Sequence, residues 1–381
     1  MRFIRKGAEA VSRFCVYLFP AAIIACLFRT YLSLLSPHVL GLESFRLSLN
    51  SALMHICYVP LTISVIAGWL LQPKRLLYQL PVLAFLLYVR DHFYFTGDQM
   101  FDLFLFAFAS VNAGRKSAIR TAAAAWAALA VLTAVLYCTG QTNNVVRVFT
   151  YGTGYSFGFS HPNTTGAAAL ALVLVLWAAF FRGKHVITFI VSWSAAAVTY
   201  LIFASRTPAV MLILFPIADL LLEALSRKSE KLLPRAMAIL PVCYCLVSVL
   251  LVVIAIESPG LLSGNLMARF TYAAKAIKQC GITFFGNPTV IYECEGIVLD
   301  NQYLNWIIYR GVIPAVLGLA LEVYMMYRFA KNKDHTGLVW AFIMITAGLM
   351  ENVYTWPLFF PAPMILFAAV SGTAKKERLP S

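Results

Sequence analysis

Charge is scarce in this sequence. Only 12% of its 381 residues are Asp, Glu, Lys or Arg, and acids are the rarer kind, 16 against 30 bases. Soluble domains carry roughly 25% charged residues, so this chain has too little polar side chain to cover a globule in water. Disorder falls on the same numbers, because it needs high charge and few apolar residues. Internal repeats and low-complexity tracts are missing too, which argues against the repeat-built transporter folds. No glycine loop of the nucleotide-binding type occurs. The eight cysteines (15, 26, 57, 138, 243, 245, 280 and 294) stand mostly in or beside apolar runs, and no pair has zinc-ligand spacing near histidines. Neither a metal nor a cofactor is expected.

What is there is apolar residue, 61% of the chain, with a mean hydropathy of +0.79. A helical crossing takes roughly 20 apolar residues. The expected fold is therefore all-α, a single polytopic integral membrane domain over residues 1–381 with about 12 transmembrane helices. Apolar runs cover 14–35, 51–71, 77–95, 100–113, 120–139, 164–181, 186–204, 207–225, 236–256, 302–327, 337–350 and 357–371. The first is too long for a signal-peptide core and reads as an uncleaved span. The run at 100–113 is the weakest.

A net charge of +14 would suggest nucleic acid in a soluble protein. Here the bases come in bursts after every second run, at 2–13, 74–75, 115–120, 182–184, 227–235, 328–333 and 375–378. Cytoplasmic loops attract Lys and Arg, so both termini are expected in the cytoplasm and no nucleic-acid partner is implied. Two longer segments, 140–163 and 257–301, then face the opposite side as extracytoplasmic loops. In such a loop Cys280 and Cys294 could pair.

Several polar residues resist that bland account. Arg206 lies in Ala204-Ser205-Arg206-Thr207-Pro208, between two apolar runs, at the tip of a tight hairpin. A fixed guanidinium there can grip two oxygens of one phosphate. Arg269 opens a stripe with Lys275 and Lys278, which reads equally as an interfacial helix on anionic lipid or as a binding surface. Asp300 and Asn301 precede an apolar run that also carries Tyr303, Asn305, Tyr309 and Arg310. Such a pair often caps a helix, yet so many polar groups on the opening turns imply a wet cavity. Glu351 closes another apolar run and is a candidate base. In Gly154–Gly166, glycines let backbone approach a ligand, Pro162 holds His161 extended, and Asn163 can cap the following helix.

Arginines, a histidine, carboxylates and aromatic loops on one side suit a lipid-linked pyrophosphate sugar. Arginines would steady the leaving group and a base would deprotonate an acceptor hydroxyl.

Four segments together, Ser156-Phe157-Gly158-Phe159-Ser160-His161-Pro162-Asn163, Ser205-Arg206, Arg269-Phe270 and Leu299-Asp300-Asn301-Gln302-Tyr303 with Arg310-Gly311, resemble the Wzy-type O-antigen polymerase family, within the O-antigen polymerase and ligase superfamily. The motif resemblance covers roughly residues 150–312. It implies a helical, metal-independent glycosyltransferase of the bacterial inner (plasma) membrane, joining undecaprenyl-pyrophosphate-linked oligosaccharide repeat units at the outer face. The polymer would be O-antigen, capsule or exopolysaccharide, and the implied partners are the lipid-linked oligosaccharide, membrane lipid, a flippase and a chain-length regulator. Carried over by residue, it implies that Arg206 and Arg269 engage the pyrophosphate. Asp300, Asn301 and Tyr303 would meet the sugars, with His161 and Asn163 shaping the cavity. Arg310, Lys275 and Lys278 complete the expected substrate-binding set. Ligases of the superfamily usually carry a His where this chain has Asp300-Asn301, which favours polymerase and leaves the base open among Asp300, His161 and Glu351, in that order. The alternatives are ligase-like transfer to a lipid or protein acceptor, and a flippase that binds the same pyrophosphate without chemistry.

Overall fold

The computed structural model describes residues 19–32, 43–92, 105, 108–109, 115–149, 152–229, 231–258, 265–286 and 299–351. The two termini, the run at 357–371, most of the run at 100–113 and Cys294 lie outside the described residues. The described residues divide into two compact units, one drawn from Met1–Pro81 and Leu103–Leu220, the other from Val82–Asp102 and Leu221–Trp356.

Helix dominates both. In chain order the helices are α1 (Phe19–Leu32), α2 (Glu43–Leu71), α3 (Leu76–His92), α4 (Arg115–Cys138), α5 (Pro162–Leu176, prolonged by a π-turn Trp177–Phe181), α6 (His185–Leu201), α7 (Arg206–Lys228) and α8 (Leu232–Glu257). After these come α9 (Asn265–Cys280), α10 (Gln302–Asn305, prolonged by a π-turn Trp306–Arg310), α11 (Val312–Lys331) and α12 (His335–Ala347). Among the described residues, six stretches are long and apolar enough to cross a membrane: Ser51–Leu71, Ala118–Cys138, Pro162–Phe181, Arg206–Lys228, Leu232–Glu257 and Val312–Lys331. Pro60, Pro216 and Pro241 sit inside three of these, as packed membrane helices allow.

The polarity of the faces agrees with that length. Leu201, Leu246, Leu250 and Val131 are exposed, while Ser64, Ser192, Asp219, Ser248 and Glu322 are buried. Ser64 and Ser192 each donate to a backbone carbonyl, of Ala109 and Leu212. An apolar exterior over a hydrogen-bonded polar interior suits hydrocarbon rather than water.

Among the described residues, strand pairing departs from an all-α fold. Val146–Phe149 and Gly152–Tyr155 form an antiparallel hairpin, β1 and β2, with Val146 opposite Tyr155 and Phe149 opposite Gly152. Val146 and Val148 favour extended backbone.

A second departure concerns the apolar run at 302–327. It is not one helix, because Gly311 breaks it at φ 88°. A Cβ on Gly318 would strike the Trp306 ring, and Gln302 Nε2 donates to Glu322 Oε1 at 2.8 Å. Residue 306 thus faces 318 and 302 faces 322, so 302–310 runs antiparallel to the first half of α11. Hydropathy reads a turn of this kind as continuous, since both limbs are apolar.

Candidate functional site

In the second unit, three segments meet beside Ser248, about two-thirds of the way along α8. Asn301 Nδ2 donates to Ser248 Oγ at 2.9 Å and to the Leu349 carbonyl at 2.9 Å. Ser248 lies nine residues before Glu257, the end of α8, which at 1.5 Å per residue is ~13 Å from that end. Helix α9 lies beside α8 with Lys278 Nζ donating to the carbonyl of Ile256 at 3.3 Å, near the same end. Arg269 stands nine residues earlier on α9, again ~13 Å down. From the other direction comes α12. Its 13 residues span ~20 Å, less than the ~30 Å of a hydrocarbon core. Just past its end, the Gly348 carbonyl accepts from Gln302 N at 2.8 Å.

Arg269 ties these segments together. Its Nε is 3.3 Å from Asp300 Oδ2, its Nη2 donates to Glu351 Oε1 at 3.3 Å, and its Nη1 donates to the Met350 carbonyl. One guanidinium thus holds two carboxylates that stand 51 residues apart in the sequence. With both acids ionised the trio carries one net negative charge. Asp300 is the most open of the three, its side chain 34% exposed against 20% for Arg269 and 17% for Glu351. Burial raises the Asp300 carboxyl above its ordinary value, and Arg269 pulls it part of the way back. A carboxylate that is reachable, oriented and raised toward neutrality has the attributes of a general base.

The neighbours of Asp300 serve the fold. Asn301 Oδ1 accepts from Leu304 N at 3.0 Å, so Asn301 is the N-cap of α10 and both ends of its amide are committed. Tyr303 is buried, its ring edge-on to Trp306 at 6.2 Å. Both pack within the fold and fix the turn that carries Asp300. Lys275 and Lys278 lie on the exposed face of α9, whose other face buries Phe270, Ala273, Ala274 and Ala276. Arg310, at the far end of the 302–310 segment, is 6% exposed.

In the first unit a separate group forms around the start of α5. His161 is the N-cap there, its Nδ1 accepting from Asn163 N at 3.1 Å. The cap expected of Asn163 belongs to His161 instead, because Pro162 fixes the extended backbone that a cap needs. Burial and the nearby positive Arg147 lower the His161 ring below its ordinary value. With Nδ1 accepting the cap bond, the ring proton rests on Nε2 and His161 is a poor base. Next to this cap, a Cβ on Gly166 would meet Ser205 Oγ at 2.4 Å, and a Cβ on Gly154 the Phe203 carbonyl at 2.7 Å. Such closeness requires glycine at both positions. It brings the Ala204–Arg206 turn, strained at Ala204 with φ 49°, against α5 and the hairpin. Arg206 is exposed at the first turn of α7.

The expected site residues thus fall into two groups: His161, Asn163 and Arg206 in the first unit, and Arg269, Asp300, Asn301, Tyr303 and Glu351 in the second. Sequence reading missed Glu322, which is 1% exposed within α11 and bound to Gln302. The available signal was an acid inside an apolar span, where ionisable residues are rare and functional by default. Ser248 gave no such signal. Among the described residues, no three His, Cys, Asp or Glu side chains gather around a possible metal position. No protein-family model, curated protein or solved structure matches the chain, so the functional reading stands on the chemistry of these residues.

Proposed function

We propose that this protein is a polysaccharide polymerase of the Wzy type. In this reading it transfers a growing glycan from undecaprenyl pyrophosphate to a hydroxyl of a new lipid-linked repeat unit, at the outer face of a bacterial plasma membrane. The observation that carries it is the Arg269–Asp300–Glu351 cluster, in which a helix-borne arginine holds two carboxylates on non-helical backbone, packed beside Ser248 of α8. Ionisable groups gathered inside a protein built of apolar helices mark reaction or transport paths.

Asp300 takes the proton of the acceptor hydroxyl. That oxygen attacks the anomeric carbon of the donor, the bond from this carbon to the pyrophosphate oxygen breaks, and the pyrophosphate leaves on its lipid. The proton then passes from Asp300 to solvent or to the leaving group. Arg269 keeps Asp300 aimed and supplies the positive charge next to it. Glu351 is the second ligand of Arg269 and stops it from rotating away.

The test is to delete the gene in its host and size the lipid-linked glycans by mass spectrometry. Single repeat units with no longer ladder are expected, and Asp300→Asn should reproduce the deletion when the variant inserts normally. Full-length polymer stranded on the carrier would make the protein a ligase. Repeat units trapped on the cytoplasmic side would make it a flippase, and unchanged glycans would end the reading.

A further inference from the structure

The geometry points to Arg310 as a binding subsite for a carboxylate carried by the glycan itself, which means that the repeat unit contains an acidic sugar. This rests on the polymerase reading for its substrate, but not for its site. Arg310 is 94% buried by its 6% exposure, and its Nε and Nη1 have no hydrogen-bond partner among the described residues. These two nitrogens lie on opposite edges of the guanidinium, so each bidentate edge has an uncommitted N–H for a planar oxyanion. A buried charge is stable when it is paired. Arg269, in the same unit, has two carboxylates; no ion pair to Arg310 occurs among the described residues.

The surroundings are built rather than accidental. Arg310 ends the π-turn Trp306–Arg310, an uncommon form that often marks functional positions. The segment 283–286 lies against it: the carbonyls of Thr283 and Phe284 accept from Val312 N and Ile313 N, both at 3.0 Å. A Cβ on Gly286 would meet the Tyr309 carbonyl at 2.4 Å and Arg310 Cα at 3.0 Å, so only glycine fits there. Thr283 Oγ1, in that segment, is a further buried polar atom without a partner among the described residues.

The position separates a glycan anion from the carrier's pyrophosphate. Arg310 stands nine residues on from Asn301, ~13 Å at helical rise. A leaving pyrophosphate must sit at the reacting carbon, within reach of the groups beside Asp300, because reacting atoms approach to about 3–3.5 Å. An anion that meets Arg310 therefore sits elsewhere on the sugar chain. Arginine rather than lysine fits this task, since a carboxylate matches its planar fork.

The experiment uses the full chain purified in detergent, with melting temperature followed against sodium glucuronate, glucose and inorganic pyrophosphate. Glucuronate should raise the melting temperature and glucose should not. Arg310→Gln should weaken the apparent glucuronate affinity at least tenfold, and Arg310→Lys, which keeps the charge without the fork, should weaken it as well. Asp300→Asn should leave it intact. Equal glucuronate binding by the wild type and both Arg310 variants, or none by the wild type, overturns the inference. Dependence on Arg310 for pyrophosphate but not for glucuronate overturns it in favour of the carrier as the source of the anion. The polymerase reading fails separately: unchanged glycans in the deletion strain would end that reading and leave Arg310-dependent glucuronate binding standing.

Discussion

Two arginines of one unit face the same problem and meet it in opposite ways. Arg269 is held by Asp300, Glu351 and the Met350 carbonyl. Arg310 is more deeply buried and has two guanidinium nitrogens without partners among the described residues. The first is a completed interaction whose purpose lies in what it positions. The second is incomplete within the described residues, and its purpose lies in what it receives. The difference teaches that a buried charge in a membrane protein has to be judged by its unmet bonds, not by its burial.

The largest effect should come from the group that Arg269 positions. Asp300→Asn removes the base while keeping the shape, and general-base loss lowers rates by about 10²–10⁴-fold. Polymer formed per unit of inserted protein is the measurement. The raised Asp300 carboxyl also fixes a sign. As a base it works when deprotonated, so wild-type activity should rise with pH on a limb displaced above the usual carboxylate range. Stability runs the other way. The folded chain holds that proton more tightly than the unfolded chain, so the stabilisation is full below the ordinary value and is lost as pH rises through the folded one. Melting temperature against pH should show that slope in the wild type and lose it in Asp300→Asn.

Replacing each arginine by methionine tests the comparison most directly. Arg269→Met strands two carboxylates, and breaking such pairs costs about 3–5 kcal/mol when fully buried. The partial exposure of this cluster reduces that to about 2 kcal/mol. Arg310→Met strands nothing and removes an uncompensated charge, so the melting temperature should hold or rise. Opposite signs in one thermal-unfolding series would sustain the contrast; two losses of equal size would end it.

A smaller effect is expected at Glu322, the acid that the sequence reading passed over. Glu322→Leu leaves Gln302 Nε2 without its acceptor, and an unsatisfied buried donor costs about 1–3 kcal/mol. Gln302 adjoins the Asn301 cap, so activity should fall together with stability. Glu322→Gln, which can still accept that bond through its amide oxygen, should recover most of both.

The contrast between the arginines also marks what could be read from the sequence. Hydropathy locates the apolar runs at 51–71, 120–139, 207–225 and 236–256, because burying a long apolar helix in lipid needs only local composition. It fails at 302–327, where Gly311 turns the chain back against α11 and both limbs are apolar. That failure matters for the site, since it moves Asp300 and Asn301 from the rim of a span to a place beside Ser248, within α8. Arg269, Asp300 and Glu351 were legible one at a time, as charges in costly places. Their union was not, because 82 residues separate Arg269 from Glu351 and nothing local encodes the pairing. Asn301 and His161 were legible as polar groups at helix starts, and the cap explains both before any substrate does.

His161 gives the smallest expected effect and the cleanest test of that last point. If the ring serves mainly as the N-cap of α5, His161→Asn supplies another good cap and should change stability by only a few tenths of a kcal/mol. His161→Ala removes the acceptor for Asn163 N and should cost about 1 kcal/mol. The lowered ring value predicts that protonation at mildly acid pH resembles the Ala variant, because Nδ1 must release Asn163 N to take up a proton. Folded-state stabilisation from the neutral ring is full above the ordinary histidine value and is lost as pH falls through the lowered one. Wild-type melting temperature should therefore drop over that window, while His161→Asn stays flat. Polymer yield in His161→Asn decides between cap and chemistry: near-wild-type yield keeps His161 structural, and a loss comparable to Asp300→Asn would put a second proton-transferring group in the reaction.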